Sequence, residues 1–171
     1  VNRRRLLLAA VVLAVWVPAS LLLLNQFGQG YSGVFDPDGR LQSLQGRYAT
    51  LNQQLALSAT ETTVIHVLDE NCACYDQTVE HLQYLKQVLP EGVRQLYKGV
   101  TELRQLGIDV PATPMIILLR EGRLDYAGPY AAGALCSAQT DILLPIVSGE
   151  VSLAGPWLNS ATVSCRCSLK A

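Results

Sequence analysis

The sequence predicts a small α/β domain, a mixed β-sheet flanked by helices, preceded by one N-terminal transmembrane helix. Three observations carry that expectation. Arg3, Arg4 and Arg5 are followed by an uncharged, largely aliphatic run over residues 6–24. Val64-Ile65-His66-Val67-Leu68 is an apolar, β-branched run, and directly after it Val79, Leu82, Leu85 and Val88 or Leu89 recur at helical spacing among polar residues; this is a buried strand leading into an amphipathic helix. Farther on, the apolar residues 115–120, the turn Glu121-Gly122 and the alternating residues 123–127 describe an antiparallel hairpin. A strand and helix of the first kind joined to such a hairpin give a mixed sheet with helices on both faces.

The run over residues 6–24 is long enough for a bilayer, which takes ~20 residues. It is longer than the usual apolar part of a cleaved signal, and no small-x-small cleavage site follows it. It is therefore expected to be a membrane anchor, in which Pro18 is tolerated. A cleaved signal is the competing assignment; under either one the domain is exported, and the arginines place the start of the helix on the cytoplasmic side. A net charge of -1 and a pI near 6.1, with no basic stripe among aromatics, exclude a nucleic-acid binder.

Residues 25–35 turn to Gly, Gln and Ser and are expected to be a linker. Asp36-Pro37 looks like a helix start, and Leu41, Leu44, Tyr48, Leu51 and Leu55 predict one helix to about Leu57, packed on the domain. Gly39 and Gly46 each weaken it by ~1 kcal/mol. After the central strand and helix come a second strand over residues 93–97 and a brief helix over 101–106 closed by Gly107. Gly128-Pro129 ends the hairpin, and residues 134–147 are expected to form a final helix that Pro145 bends or ends. The organisation is thus an anchor (1–24), a linker and amphipathic helix (25–57), the α/β domain (58–150) and a tail (151–171) too short to be a domain, which carries Gly155-Pro156-Trp157 and Cys165-Arg166-Cys167.

The chemistry concentrates in the cysteines. Cys72 and Cys74 lie where the central strand passes into the helix, a junction at which unpaired N–H groups and the helix dipole favour thiolate. An exported compartment permits disulfides. Five cysteines are an odd number: two pairs can be drawn from Cys72/Cys74 and Cys165/Cys167, leaving Cys136 free or as a third party in exchange, and the sequence does not fix the connectivity. Residues two apart on a helix point to different sides, so Cys72 must lie in the loop before it. A disulfide closed over one intervening residue would be readily reduced, which favours oxidation or isomerisation, with Cys72 the exposed nucleophile and Cys74 resolving. Two alternatives stand beside exchange. The four paired thiolates of Cys72, Cys74, Cys165 and Cys167 suit copper or zinc, or two static disulfides staple the domain. His66, six residues before Cys72, is either a proton carrier titrating near neutrality or a core histidine. Asp69 and Glu70 read as solvated loop charges, and His81 as part of the helix's polar face.

The order of elements, Cys72-Ala73-Cys74 after the central strand and Thr113-Pro114 before the hairpin strand together resemble the thioredoxin-like fold over residues 62–147. With the anchor and the terminal Cys-x-Cys, the chain is similar to a group of membrane-anchored bacterial thioredoxin-like proteins that brings no established activity. The chain departs from thioredoxins in having one residue, not two, between the cysteines. The resemblance implies a cis Thr113-Pro114 bond beside the cysteines, shaping a groove where a partner's extended chain pairs with the backbone. It also implies a single-pass bacterial inner-membrane protein with its domain in the periplasm. The expected activity is thiol–disulfide exchange through Cys72, Cys74, Thr113, Pro114 and His66, with Cys136, Cys165 and Cys167 as a redox relay and no cofactor. A protein or small-thiol substrate, and a membrane electron donor, are the expected partners.

Overall fold

The computed structural model describes residues 3–43, 45–48, 51–58 and 60–170. The chain divides into two compact units, Val1–Tyr31 and Ser32–Ala171. The first is helix α1 (Arg3–Tyr31), with Pro18 inside it. Its segment Arg3–Gln26 is long and apolar enough to cross a membrane or to be a signal sequence. The helix continues through residues expected to be a linker, because glycine lowers helix stability by only ~1 kcal/mol and leaves the backbone hydrogen bonds intact.

The second unit opens with strand β1 (Ser32–Val34). Of the helix expected over residues 36–57, the described residues show helical turns α2 (Arg40–Ser43), α3 (Gln45–Tyr48) and α4 (Leu51–Gln54), and the residues between them lie outside the described residues. Gly39 at φ 67° sets the late start, and the Asp36 carboxylate accepts the Arg40 and Leu41 N–H groups at 3.0 and 2.8 Å. Leu41 and Leu51 are buried as their spacing predicts; Leu44 lies outside the described residues.

Next come β2 (Thr62–Leu68), α5 (Tyr75–Val88), β3 (Arg94–Gly99), α6 (Val100–Gln105), β4 (Ala112–Thr113), β5 (Met115–Arg120) and β6 (Arg123–Gly128). Glu121 and Gly122 both take positive φ, 51° and 73°, the backbone of a two-residue hairpin turn matched to strand twist. The final helix shrinks to α7 (Leu143–Val147) after a 3₁₀ turn at Ala138–Thr140. Positive φ at Gly133 and Cys136 interrupts a right-handed helical path, and Pro145 sits in the first turn of α7, where its missing N–H costs nothing.

The main sheet runs β3-β2-β5-β6-β7. β2 is parallel to β3 and antiparallel to β5, and β5 and β6 form the hairpin. Alternation along β2 divides the core. Ile65 and Val67 join Phe35, Leu41, Leu51 and Leu103 on one face, while Val64 joins Leu82, Leu85, Tyr130 and Leu143 on the other. The expected tail, as far as it is described (residues 151–170), is not separate from the domain. β7 (Trp157–Leu158) extends the main sheet beside β6, β8 (Val163–Cys165) pairs with β1, and β9 (Cys167–Ser168) pairs with β4.

Candidate functional site

The site begins where β2 ends. Asp69 Oδ1 accepts the Asn71 N–H at 3.0 Å, the Cys72 N–H donates to the Asp69 carbonyl at 3.0 Å, and the Tyr75 N–H donates to the Cys72 carbonyl at 2.9 Å. These bonds turn the chain into α5, with Cys74 at its N-terminal cap. Cys72 therefore lies in the loop, as its two-residue offset from Cys74 requires. The Cys74 N–H donates to Cys72 Sγ at 3.4 Å, and the amino end of a 14-residue helix lies just beyond. Both features stabilise negative charge on that sulfur.

Across from the junction, the Thr113–Pro114 bond is cis, and the Thr113 carbonyl oxygen is 3.6 Å from Cys72 Sγ. The two Cys-x-Cys motifs do not close on themselves. Cys72 is bonded to Cys167 and Cys74 to Cys165, with Cα separations of 5.7 and 6.4 Å. The connectivity that the sequence left open is thus nested, and Cys72 and Cys74, the expected exchanging pair, are each bonded to the other motif and not to one another. The cause is the chain path, since β8 and β9 bring residues 165 and 167 alongside the junction and give each sulfur a partner with ordinary Cα spacing. Cys72 is also not the exposed member. It is buried, as are Cys74, Cys136 and Cys165, and Cys167 alone of the five is half-buried.

Cys136 carries the free thiol. Its Sγ lies within 4.8 Å of the sulfurs of Cys74 and Cys165, and the sulfurs of Cys72, Cys74 and Cys167 share the same limit. Cys74 belongs to both groups, so all five sulfurs form one contiguous cluster. Burial pushes the Cys136 thiol up to about 11.

His66 sits at the middle of β2 with no exposed surface. Its ring stacks on Tyr97 and Tyr130 at centroid distances of 4.8 and 5.7 Å. Its ring nitrogens meet the Tyr130 hydroxyl at 2.8 Å and the Gln95 side-chain oxygen at 3.2 Å. Desolvation lowers its pKa to about 4, so it does not titrate near neutrality and is held as a neutral imidazole. His81 is corrected too. The buried face of α5 carries Thr78, His81, Leu82 and Leu85, and His81 Nε2 meets Asp141 Oδ2 at 2.6 Å. The helix is rotated about its axis from the face that Val79 and Leu82 implied. The role of Asp141 and of Tyr130, which follows Gly128-Pro129, is not visible in the sequence because isolated polar residues in loops carry no periodic signal; Cys136, five residues before Asp141, was the available pointer.

A cleft of about 800 Å³ opens at the carboxyl ends of β2 and β3, bordered by Asp69, Asn71, Tyr75, Lys98, Glu102 and Leu169. Crevices at strand carboxyl ends are favoured ligand positions in α/β sheets.

Fold and site together define an α/β domain with a mixed five-stranded sheet and a cluster of cysteines in disulfide pairs, following a helix apolar enough for a membrane. Residues 41–169 match the family described as a domain of unknown function, DUF6436, and the chain belongs to that family. No curated protein matches it.

Proposed function

We propose that the chain is a membrane-anchored thiol–disulfide oxidoreductase of thioredoxin-like fold, with its domain facing the periplasm and Cys72–Cys167 as its exchanging bond. The observation that carries this reading is the doubled disulfide. Two bonds join the same two short segments, so Cys72–Cys167 can open while Cys74–Cys165 keeps β8 in place. The partly exposed Cys167 gives an incoming thiol its entry, and the cis Thr113-Pro114 beside Cys72 agrees with the thioredoxin-like resemblance.

In the oxidising direction a substrate thiolate attacks Cys167 Sγ and forms a mixed disulfide. The Cys72–Cys167 bond breaks, and its electron pair leaves on Cys72, where the Cys74 N–H and the end of α5 stabilise it. A second substrate thiolate attacks the first substrate sulfur and expels Cys167 as thiolate. The substrate dithiol becomes a disulfide, and the two protons it loses balance those taken up by Cys72 and Cys167. Exchange of this kind is reversible, so its direction follows the partner's potential. A single-turnover assay tests it: the oxidised full chain in detergent micelles is mixed with a reduced dithiol peptide. One peptide disulfide per chain is expected from the native protein and from Cys74→Ala/Cys165→Ala, and none from Cys72→Ala/Cys167→Ala; equal yields from both variants would sink the proposal.

One further observation favours a second reading for the reduced protein. Cys72, Cys74 and Cys167, and likewise Cys74, Cys136 and Cys165, offer trios of sulfurs within 4.8 Å, a soft donor set suited to cuprous copper or zinc. Native mass spectrometry of the reduced chain after copper(I) or zinc addition would show a bound ion lost in Cys74→Ala if this reading holds, and an unmetallated chain if it does not.

A further inference from the structure

Among the described residues, strand β4 (Ala112–Thr113) has one sheet partner, β9 (Cys167–Ser168), with Ala112 opposite Ser168 and Thr113 opposite Cys167. The pairing continues for one more residue, as the Leu169 N–H donates to the Pro111 carbonyl at 2.9 Å. The Leu169 side chain packs on the core face formed by Ile65, Val67 and Leu103 and borders the cleft at the ends of β2 and β3. Thus Cys167, Ser168 and Leu169 make three successive uses of one strip: a disulfide to Cys72, a pair of ladder positions, and an apolar seat. Beyond them Arg104 holds the Lys170 carbonyl at 2.6 Å from an exposed position.

Two physical facts bear on this strip. A two-residue strand paired on one edge alone presents unpaired N–H and C=O groups as soon as its partner leaves, which is a template for another extended chain. The partner here is fixed covalently by a bond the proposed chemistry breaks. After that break, Cys74–Cys165 still anchors residue 165, so the strap can leave β4 and return from two residues away.

We infer that residues 167–170 are a built-in occupant of a docking strip for an extended cysteine-bearing segment of pattern Cys-x-Leu, and that reduction of Cys72–Cys167 vacates the strip for that partner. This rests on the exchange reading above and names its substrate class. The reduced chain arises when a dithiol has given up two electrons to Cys72–Cys167. Cys72 thiolate then attacks the disulfide of the docked segment, forming a Cys72–segment bond and expelling the segment's former partner as thiolate. The Cys167 thiolate, tethered two residues from the anchored Cys165, attacks Cys72 Sγ, which re-forms Cys72–Cys167 and releases the segment's own thiolate, and the strap then re-pairs with β4. Chain dithiol becomes disulfide and substrate disulfide becomes dithiol. The strap is therefore both plug and resolving arm.

The test uses the full chain carrying Cys167→Ser in detergent micelles. The probe is acetyl-Arg-Cys-Ser-Leu-Lys-amide with its cysteine linked to thionitrobenzoate. One control replaces leucine by aspartate, and the other N-methylates leucine to remove the N–H that meets Pro111. The parent peptide is expected to release thionitrobenzoate at least tenfold faster than either control, with the adduct on Cys72. Three equal rates at Cys72 would overturn the docking strip and leave the exchange reading standing. A Cys72 that reacts with none of them, nor with dithiobis(nitrobenzoate), would overturn both. Hydrogen exchange on the native chain gives a check that needs no variant: amides of residues 167–170 should exchange at least tenfold faster once the chain is reduced, and unchanged protection would overturn release of the strap.

Discussion

The two disulfides should be redundant as staples, and the size of that redundancy follows from their spacing. Cys72–Cys167 and Cys74–Cys165 close loops with sequence separations of 95 and 91. Loop closure at that length removes ~4.6 kcal/mol worth of unfolded-chain entropy. With one bond already formed, the second closes a ring of about five residues, which adds ~2 kcal/mol. Removing either bond through Cys72→Ala/Cys167→Ala or Cys74→Ala/Cys165→Ala should therefore cost ~2 kcal/mol, and removing both roughly 6 to 7 kcal/mol. Urea unfolding of the full chain in micelles without reductant, followed by Trp157 fluorescence in a Trp16→Phe background, measures all three. Trp157 packs edge-on against Tyr126 at 5.3 Å and reports this unit. If removing one bond costs as much as removing both, the disulfides do not back each other up, and neither can open without loosening the domain.

Further outcomes follow from buried groups. The folded pKa of His66 is about 4 against 6.5 when exposed. The unfolded chain thus gains a proton near pH 6.5 that the folded chain refuses. Stability is full above that pH and falls by roughly 3 kcal/mol down to pH 4; His66→Gln should flatten this slope in urea titrations, and an unchanged slope would remove His66 as its source. The Cys136 thiol, with its pKa near 11, should react with iodoacetamide at pH 7.5 on the order of 10²-fold more slowly than an exposed cysteine; rapid labelling of the oxidised chain would contradict its burial. A Cβ at Gly128 would lie 2.8 Å from both Asn159 Cβ and the Tyr126 hydroxyl. Gly128→Ala should cost about 1–3 kcal/mol and lower the melting temperature by several degrees; an unchanged melt would mean that the β6–β7 seam relaxes freely.

The parts legible in the sequence were those with a period or an obligatory turn. β2, β5 and β6 declared themselves through apolar runs and the Glu121-Gly122 turn, and α5 through helical spacing. The site's location was legible for the same reason, since Cys72 and Cys74 mark the end of β2. What stayed hidden lacked any period. β7 and β9 are two residues each and β8 three, too short to show alternation, so residues 151–171 read as a tail. The disulfide connectivity depends on where those strands go and was hidden with them. The titrating and core alternatives for His66 could not be separated in the sequence because its enclosure is assembled from Gln95 and Tyr97 on β3 and Tyr130 beyond β6. Gly39 did weaken the helix expected over residues 36–57, but its left-handed backbone sets the late start at Arg40, and glycine alone allows that state without requiring it.

The central claim is that Cys72–Cys167 is the working bond and Cys74–Cys165 the holding one. Graded reduction of the oxidised full chain with dithiothreitol, trapped by acid and alkylation and mapped by mass spectrometry, tests it most directly. Cys72 and Cys167 are expected to be labelled together at low reductant while Cys74 and Cys165 remain bonded. Reduction of Cys74–Cys165 first, or of both bonds in one step, would contradict it.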